Sequence, residues 1–234
     1  MSMPRGLRIL LLVVAVAGVA VTAGTWGYIH LIKDDAPAPL SLDAAGSSNT
    51  TTSTAGATAT GSSGLDGTFK VTTGSQAGYR VKEVLFGQSA EAVGRTSAVT
   101  GSITIVGAKV TAATFTVDMT TVASDEARRD NQFKGRIMDV ATYPKATFAL
   151  TDPIDFGSVP ADGNQITTKA TGKLTLHGVT KTVTFTVQAK HAGSTISVAG
   201  SIPVTFADYG IPNPSAGPAN TADNGQLEFL LNLS

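Results

Sequence analysis

LTLHGVTKTVTFTVQAK, residues 174–190, alternates in character on both sides of a turn, and its reading decides the fold. From 182 onward the odd positions are Val183, Phe185, Val187 and Ala189, and the even ones are Thr182, Thr184, Thr186 and Gln188. A period of two belongs to a strand with one apolar face. Upstream, Ala170, Gly172, Leu174 and Leu176 alternate with Thr171, Lys173, Thr175 and His177, and His177-Gly178 opens a short loop that reaches Val183. Two such runs joined through a glycine predict an antiparallel hairpin. Its threonine face prefers water to lipid, so the apolar face must be covered by more sheet.

Outward from the hairpin the same signals repeat. Strands are expected over 68–73, 79–86, 97–106 and 109–119, with Gly107-Ala108 turning between the last two. The pattern then breaks. Ser124 is placed to cap a helix whose first turn holds Asp125 and Glu126 and which ends near Gly135. Phe133, Ile137 and Met138 would turn inward from it and close one end of a barrel. Pro144 stops further helix, and strand resumes over 146–151. Beyond the hairpin, 195–206 carries Ile196, Val198, Gly200, Ile202 and Val204 on one face, and a Pro/Gly-rich loop over 208–225 leads to a closing strand over 226–233. Roughly nine strands and one helix emerge.

The expected inner face mixes small residues (Ala112 or Ala113, Ala170, Gly172, Gly200) with Phe115, Val117, Phe148, Leu174, Leu176, Phe185, Val187, Phe206 and Phe229. A barrel of about eight strands either fills with side chains or holds one slender ligand, and small inward residues leave room for the latter. Residue types alone leave both open.

Two motifs carry a resemblance. Gly172-Lys-Leu-Thr-Leu-His-Gly-Val-Thr-Lys181 is similar to the signature hairpin of the YceI-like family, and Arg129-Asp130 followed by Tyr143-Pro144-Lys145-Ala146-Thr147-Phe148 resembles that family's Arg-Asp…Tyr-Pro-x-x-x-Phe pattern. The resemblance implies a mainly-β fold, an antiparallel lipocalin-like β-barrel of about eight strands with one short helix. It also implies an isoprenoid-type or fatty-acyl lipid in an apolar interior, with the inner-face residues named above as its lining. His177, Arg129 and Asp130 are the polar candidates at the mouth, because the family carries Arg or His at the first position and a similar pair at the other two; the alternatives are a turn residue hydrogen-bonded to backbone for His177, the better reading of a lone turn histidine, and a tie of the helix over the barrel end for Arg129 or Asp130.

The N-terminal quarter reads differently. Residues 1–8 carry Arg5 and Arg8, and 9–32 holds no acidic or basic side chain apart from His30. As a helix that run measures about 36 Å, enough for ~30 Å of hydrocarbon. Trp26 and Tyr28 suit the interfacial belt, and the two arginines orient residues 1–8 to the cytoplasm. The expectation is a signal anchor in the cell membrane, single-pass, with the C-terminal part outside; secretion after cleavage of a signal peptide is the alternative. Residues 33–64 are rich in Ser, Thr, Ala, Gly and Pro, contain hardly any large apolar side chain and are expected to form a disordered tether of about 30 Å root-mean-square span. Asn49-Thr50-Thr51 within it matches an N-glycosylation triplet. The barrel domain is then 65–234.

Composition narrows the chemistry. There is no cysteine, which excludes disulfides and thiolate metal ligation. Seventeen basic residues balance seventeen acidic ones, so no nucleic-acid partner is expected. The three histidines, His30, His177 and His191, have no metal-ligand spacing, and no cofactor or nucleophile signature is present. The charged run Asp125-Glu-Ala-Arg-Arg-Asp130 is the one stretch from which an acid/base pair could be drawn, and a solvated helix face with an Asp125–Arg129 pair explains it better. Glu83, inside an alternating strand, reads as a salt-bridged surface residue. A binding protein rather than an enzyme is expected.

Overall fold

The computed structural model describes residues 36–42, 65–85, 87–217 and 219–234. The apolar run 9–32 and residues 43–64, with the Asn49 triplet, lie outside the described residues, as does the membrane topology argued from them. Among the described residues no helix is long and apolar enough to cross a membrane.

Thirteen strands form one sheet: β1 (Gly67–Lys70), β2 (Gln76–Leu85), β3 (Gln88–Thr96), β4 (Val99–Val106), β5 (Lys109–Asp118), β6 (Ala123–Ser124), β7 (Lys145–Leu150), β8 (Ile154–Asp155), β9 (Ile166–Leu176), β10 (Val179–Ala192), β11 (Thr195–Thr205), β12 (Ala219–Thr221) and β13 (Asn224–Leu233). Every pairing is antiparallel, in the order β1-β4-β5-β7-β9-β10-β11-β13-β2-β3-β6, with β8 on β5 and β12 on β2. The sheet curls so that its edge strand β1 reaches the internal strand β13. β13 pairs with β2 over Gln226 to Leu230, while its last residues bond the exit of β1 through Lys70 N to Ser234 O (2.9 Å) and Thr72 N to Asn232 O (2.8 Å). Among the described residues one short helix, α1 (Ala127–Gln132), runs into a π-helical turn, Phe133–Ile137, at one end of the curl.

The hairpin of 174–190 is tighter than expected. His177 (φ 49°) and Gly178 (φ 75°) are the whole loop, both left-handed as a type I′ turn requires, so β10 resumes at Val179 and not at Val183. The pairing of Val183 with Gly172 and Phe185 with Ala170 puts the expected apolar face inward.

The strand count exceeds the roughly nine expected because β3, β6, β8 and β12 were not legible. β3 explains why. Its inward positions are Ala90, Ala92 and Gly94, and its outward ones include Glu91, Val93 and Arg95, so hydrophobicity does not alternate. Gly94 is small for a reason: a Cβ there would lie 2.4 Å from the Tyr79 ring on the paired strand. The helix also starts later than expected. Glu126, not Ser124, is its N-cap and accepts from Arg128 N (3.3 Å), while Ser124 belongs to β6.

Residues 36–42 correct the tether over part of its length. Leu42 is 1% exposed and clusters with Ala199 and Leu230, with Leu40 against them. The segment lies on the outside of the curl, because Ala199 and Leu230 are cross-strand partners whose neighbours Val198, Gly200 and Phe229 face in.

Candidate functional site

The inward faces enclose a cavity of about 750 Å³. Phe115, Val117, Phe148, Leu174, Leu176, Phe185, Val187, Phe206 and Phe229, all expected on the inner face, line it. Alternation placed eight of them, on the inward parity of their strands; Phe206 lies just past β11, in the 3-10 turn Phe206–Tyr209. Ala113 rather than Ala112 is the buried member of that pair.

The small residues do something other than leave room. A Cβ at Gly172 would lie 2.4 Å from Phe148 Cζ, and one at Gly200 2.7 Å from Phe229 Cζ. Each glycine is a flat seat for a ring from the next strand. The rings thus lie against the sheet instead of projecting across it, and the space in the middle stays open. Phe148 and Phe185 meet edge to face at 5.5 Å, and Phe185 and Phe229 at 5.9 Å, which fixes a wall of three rings.

The helical end of the cavity is polar at its rim. Tyr79 stacks on Phe133 with centroids 4.9 Å apart, so the π-helical turn is pinned to β2, and Met138 is buried beside it. Glu83 shares the inward parity of Tyr79 and Val81 and lines the cavity with its side chain 9% exposed; it is not the surface residue expected of it. Its carboxylate pairs with Arg129 at 3.3 Å, and Arg129 also pairs with Asp125 one helical turn back. Burial pushes the Tyr79 phenol well above its usual range, with the Arg129 cation opposing the shift and the neighbouring carboxylates adding to it. Arg128, Arg129 and Gln132 complete this rim.

Two polar candidates fall elsewhere. His177 does not line the cavity; its Nδ1 meets Tyr209 O at 3.1 Å and its ring packs on Tyr143. A left-handed turn residue points away from both strand faces, so of the two readings of His177 the backbone-bonded turn residue is the one found. Asp130 accepts from Ser124 N (2.8 Å) and Ser124 Oγ (2.7 Å), a bond set that ties α1 to β6, and it too is off the lining. At the opposite end His191 lies within β10, 8% exposed, with Nε2 2.9 Å from Pro160 O and Nδ1 3.2 Å from Asp162 Oδ1 without hydrogen-bond alignment. It lines the cavity, as do Tyr79, Ile103 and Leu231, which the sequence reading did not single out, and Ile196, which alternation had put on the apolar face of β11.

An acid/base reading of Asp125 to Asp130 finds these groups otherwise engaged. Asp125 pairs with Arg129, Glu126 caps α1 and Asp130 holds β6. Among the described residues no group of three or more metal-ligating side chains assembles.

The model of the YceI-like domain matches residues 41–233. The chain belongs to the YceI-like family. Among its YceI-like relatives, a UPF0312 protein of Vibrio parahaemolyticus is 34% identical over 103 residues, covering 41% of this chain and 51% of that one. A UPF0312 protein of Pseudomonas putida is 33% identical over 125 residues, covering 50% and 62%. The match thus spans about half to three-fifths of these relatives. A polyisoprenoid-binding domain from Saccharophagus degradans superposes with a TM-score of 0.59 over 71% of this chain and 97% of that one, at 18% identity, which establishes a shared YceI-like fold.

Proposed function

We propose that this chain binds one elongated apolar molecule, an isoprenoid or fatty-acyl lipid, inside the curled sheet, and that the barrel is exported and tethered to the membrane by residues 9–32. The carrying observation is the cavity of about 750 Å³ walled by Phe148, Phe185 and Phe229. That volume falls among small-molecule sites of ~300–1,000 Å³, which are mostly apolar with a few placed polar groups. A filled barrel acting only through its loops would leave such a space unexplained. The polyisoprenoid-binding domain of like fold supports the ligand class, and the order of Arg5, Arg8 and the apolar run supports the topology.

Binding is driven by transfer of apolar area from water, at ~25 cal/mol per Å². The tail lies along the ring wall, and the polar end sits at the rim where Tyr79 and Arg129 offer a hydroxyl and a cation. No bond of the ligand is broken. Mass spectrometry of an organic extract of the purified protein is expected to find an isoprenoid or acyl lipid in stoichiometric amount; a lipid-free extract from protein that also fails to take up either class in vitro overturns the reading. Protease added to intact cells is expected to clip within 43–64, and protection until the membrane is permeabilised overturns the topology.

A further inference from the structure

The outer face of β2, β3, β11 and β13 carries a feature that ligand binding does not use. Outward residues of a soluble sheet are normally solvated, yet Arg80, Glu228, Leu230 and Ala199 are all under 9% exposed. Glu228 joins two arginines: Oε2 accepts from Arg80 Nε (3.3 Å), and Oε1 from Arg95 Nε (3.0 Å) and Nη2 (2.8 Å). Arg80 also meets Glu91 at 2.5 Å. The arginines still have donors to spare, and these point at backbone. Arg80 Nη2 donates to Pro37 O (2.5 Å) and Arg95 Nη2 to Ala38 O, while Leu40 N donates to Glu228 Oε2 (3.4 Å) and Lys190 Nζ to Leu42 O (3.5 Å). Leu40 and Leu42 drop onto Ala199 and Leu230.

These are the parts of a peptide-recognition groove. Side chains of the sheet read the main chain of an extended segment, alternate side chains of that segment enter a small apolar floor, and Pro37 and Pro39 hold it extended beforehand. We infer that the outer face of β2, β11 and β13 is a built docking groove for a Pro-x-Pro-Leu-x-Leu segment, and that its occupant is residues 37–42 of the same chain. The consequence rests on the proposed tether. If 9–32 is fixed in a bilayer, only Lys33, Asp34, Asp35 and Ala36 separate it from the docked segment, a reach of at most about 14 Å at ~3.5 Å per residue. The barrel is then held at the membrane surface by one chosen side instead of roaming on a span of about 30 Å. A lipid carrier held in that way meets the bilayer in a fixed orientation.

The full chain, reconstituted in phosphatidylcholine–phosphatidylglycerol vesicles with a protease site inserted among 43–64, tests this. After cleavage the wild-type barrel is expected to sediment with the vesicles, held only by the docked segment, and L40D/L42D to lose it to the supernatant. Release of the wild-type barrel on cleavage overturns docking. If the uncleaved chain fails to sediment, the tether has failed on its own; docking is then read from gel filtration of the cleaved chain, where co-elution of the two fragments supports it and separation overturns it. Because the chain lacks cysteine, Leu42→Cys with Ala199→Cys offers a single possible disulfide. Oxidation to a cross-linked monomer supports docking within the chain, and oxidation to a dimer overturns it in favour of exchange between copies.

Discussion

The two faces of β11 and β13 are finished in opposite ways. Inside, Val198, Phe229 and Leu231 border open space. Outside, one residue along, Ala199, Glu228 and Leu230 are sealed under a segment from more than a hundred residues earlier in the chain. The inner face is apolar and unfilled, whereas the outer face is partly charged and closed. Hydrophobic pattern states which side of a strand leaves water; it does not state what takes the water's place. On the inner side the space stays open, and on the outer side it is filled by seven residues with two leucines.

The contrast breaks hardest at Glu228. Its carboxylate compensates Arg80 and Arg95, and Arg80 is itself buried. Removing one partner of a buried pair leaves an uncompensated charge, at about 3–5 kcal/mol. Arg80 keeps Glu91, and Arg95 is partly exposed, so Glu228→Ala is expected near the low end, about 3 kcal/mol, seen as a melting temperature lower by roughly 10 °C. A melt unchanged within error would mean that the outer cluster is solvated and the groove not closed.

On the inner face the comparable weak point is a glycine. Gly200→Ala sets a Cβ 2.7 Å from Phe229 Cζ and 3.1 Å from Thr186 O, and overpacking of this kind costs about 2 kcal/mol. Phe229→Leu added to it is expected to recover part of that loss, and a double-mutant cycle in urea measures the coupling. Strict additivity would show that the ring does not sit on the glycine.

How far the sequence reached follows the same division. The β9/β10 hairpin was legible because threonine and apolar residues alternate over 182–189, while Lys181 on the apolar parity hid the true start of β10, and eight of the nine lining residues were legible through parity, Phe206 lying just past β11. β3 was not, since its inward residues are small to admit Tyr79 and its outward Val93 and Arg95 face a covered surface. Nor was the docked segment: two leucines disappear in the average composition of residues 33–64, although within 37–42 they stand at the spacing an extended strap needs. His177 and Asp130 were carried by motif rather than by geometry, and a motif held for folding, as a turn and as a helix tie, looks the same in sequence as one held for a ligand.

A smaller effect sharpens the rim. Burial raises the Tyr79 pKa, so the folded protein keeps a proton that the unfolded chain gives up above about pH 10. The unfolded state then binds fewer protons. Stability is therefore level below pH ~10 and falls above it, by up to about 1.4 kcal/mol per pH unit for this one group. Tyr209, raised in the same direction by burial, adds to the wild-type slope, so the informative quantity is the difference from Tyr79→Phe. That variant is expected to melt with a shallower alkaline decline, and identical slopes would place the Tyr79 hydroxyl in water.

The smallest expected change in stability is at Val187, and it separates the two faces most directly. Val187 pairs with Gly200 and Thr168, shares the inward parity of Phe185 and lines the cavity. In a filled interior Val187→Trp would overpack and cost about 1–3 kcal/mol or more. Here the added indole has about 750 Å³ to enter, so the melting temperature is expected to move by less than ~1 kcal/mol equivalent while binding of a fluorescent fatty-acid or isoprenoid probe is lost. The control lies on the other face of the neighbouring strand: Ala199→Trp adds a ring where Leu42 already closes the surface, with no space to receive it. That variant is expected to displace residues 36–42 and leave probe binding intact. Loss of stability at Val187 without loss of binding, or loss of binding at Ala199, would mean that the ligand occupies some surface other than the inner face.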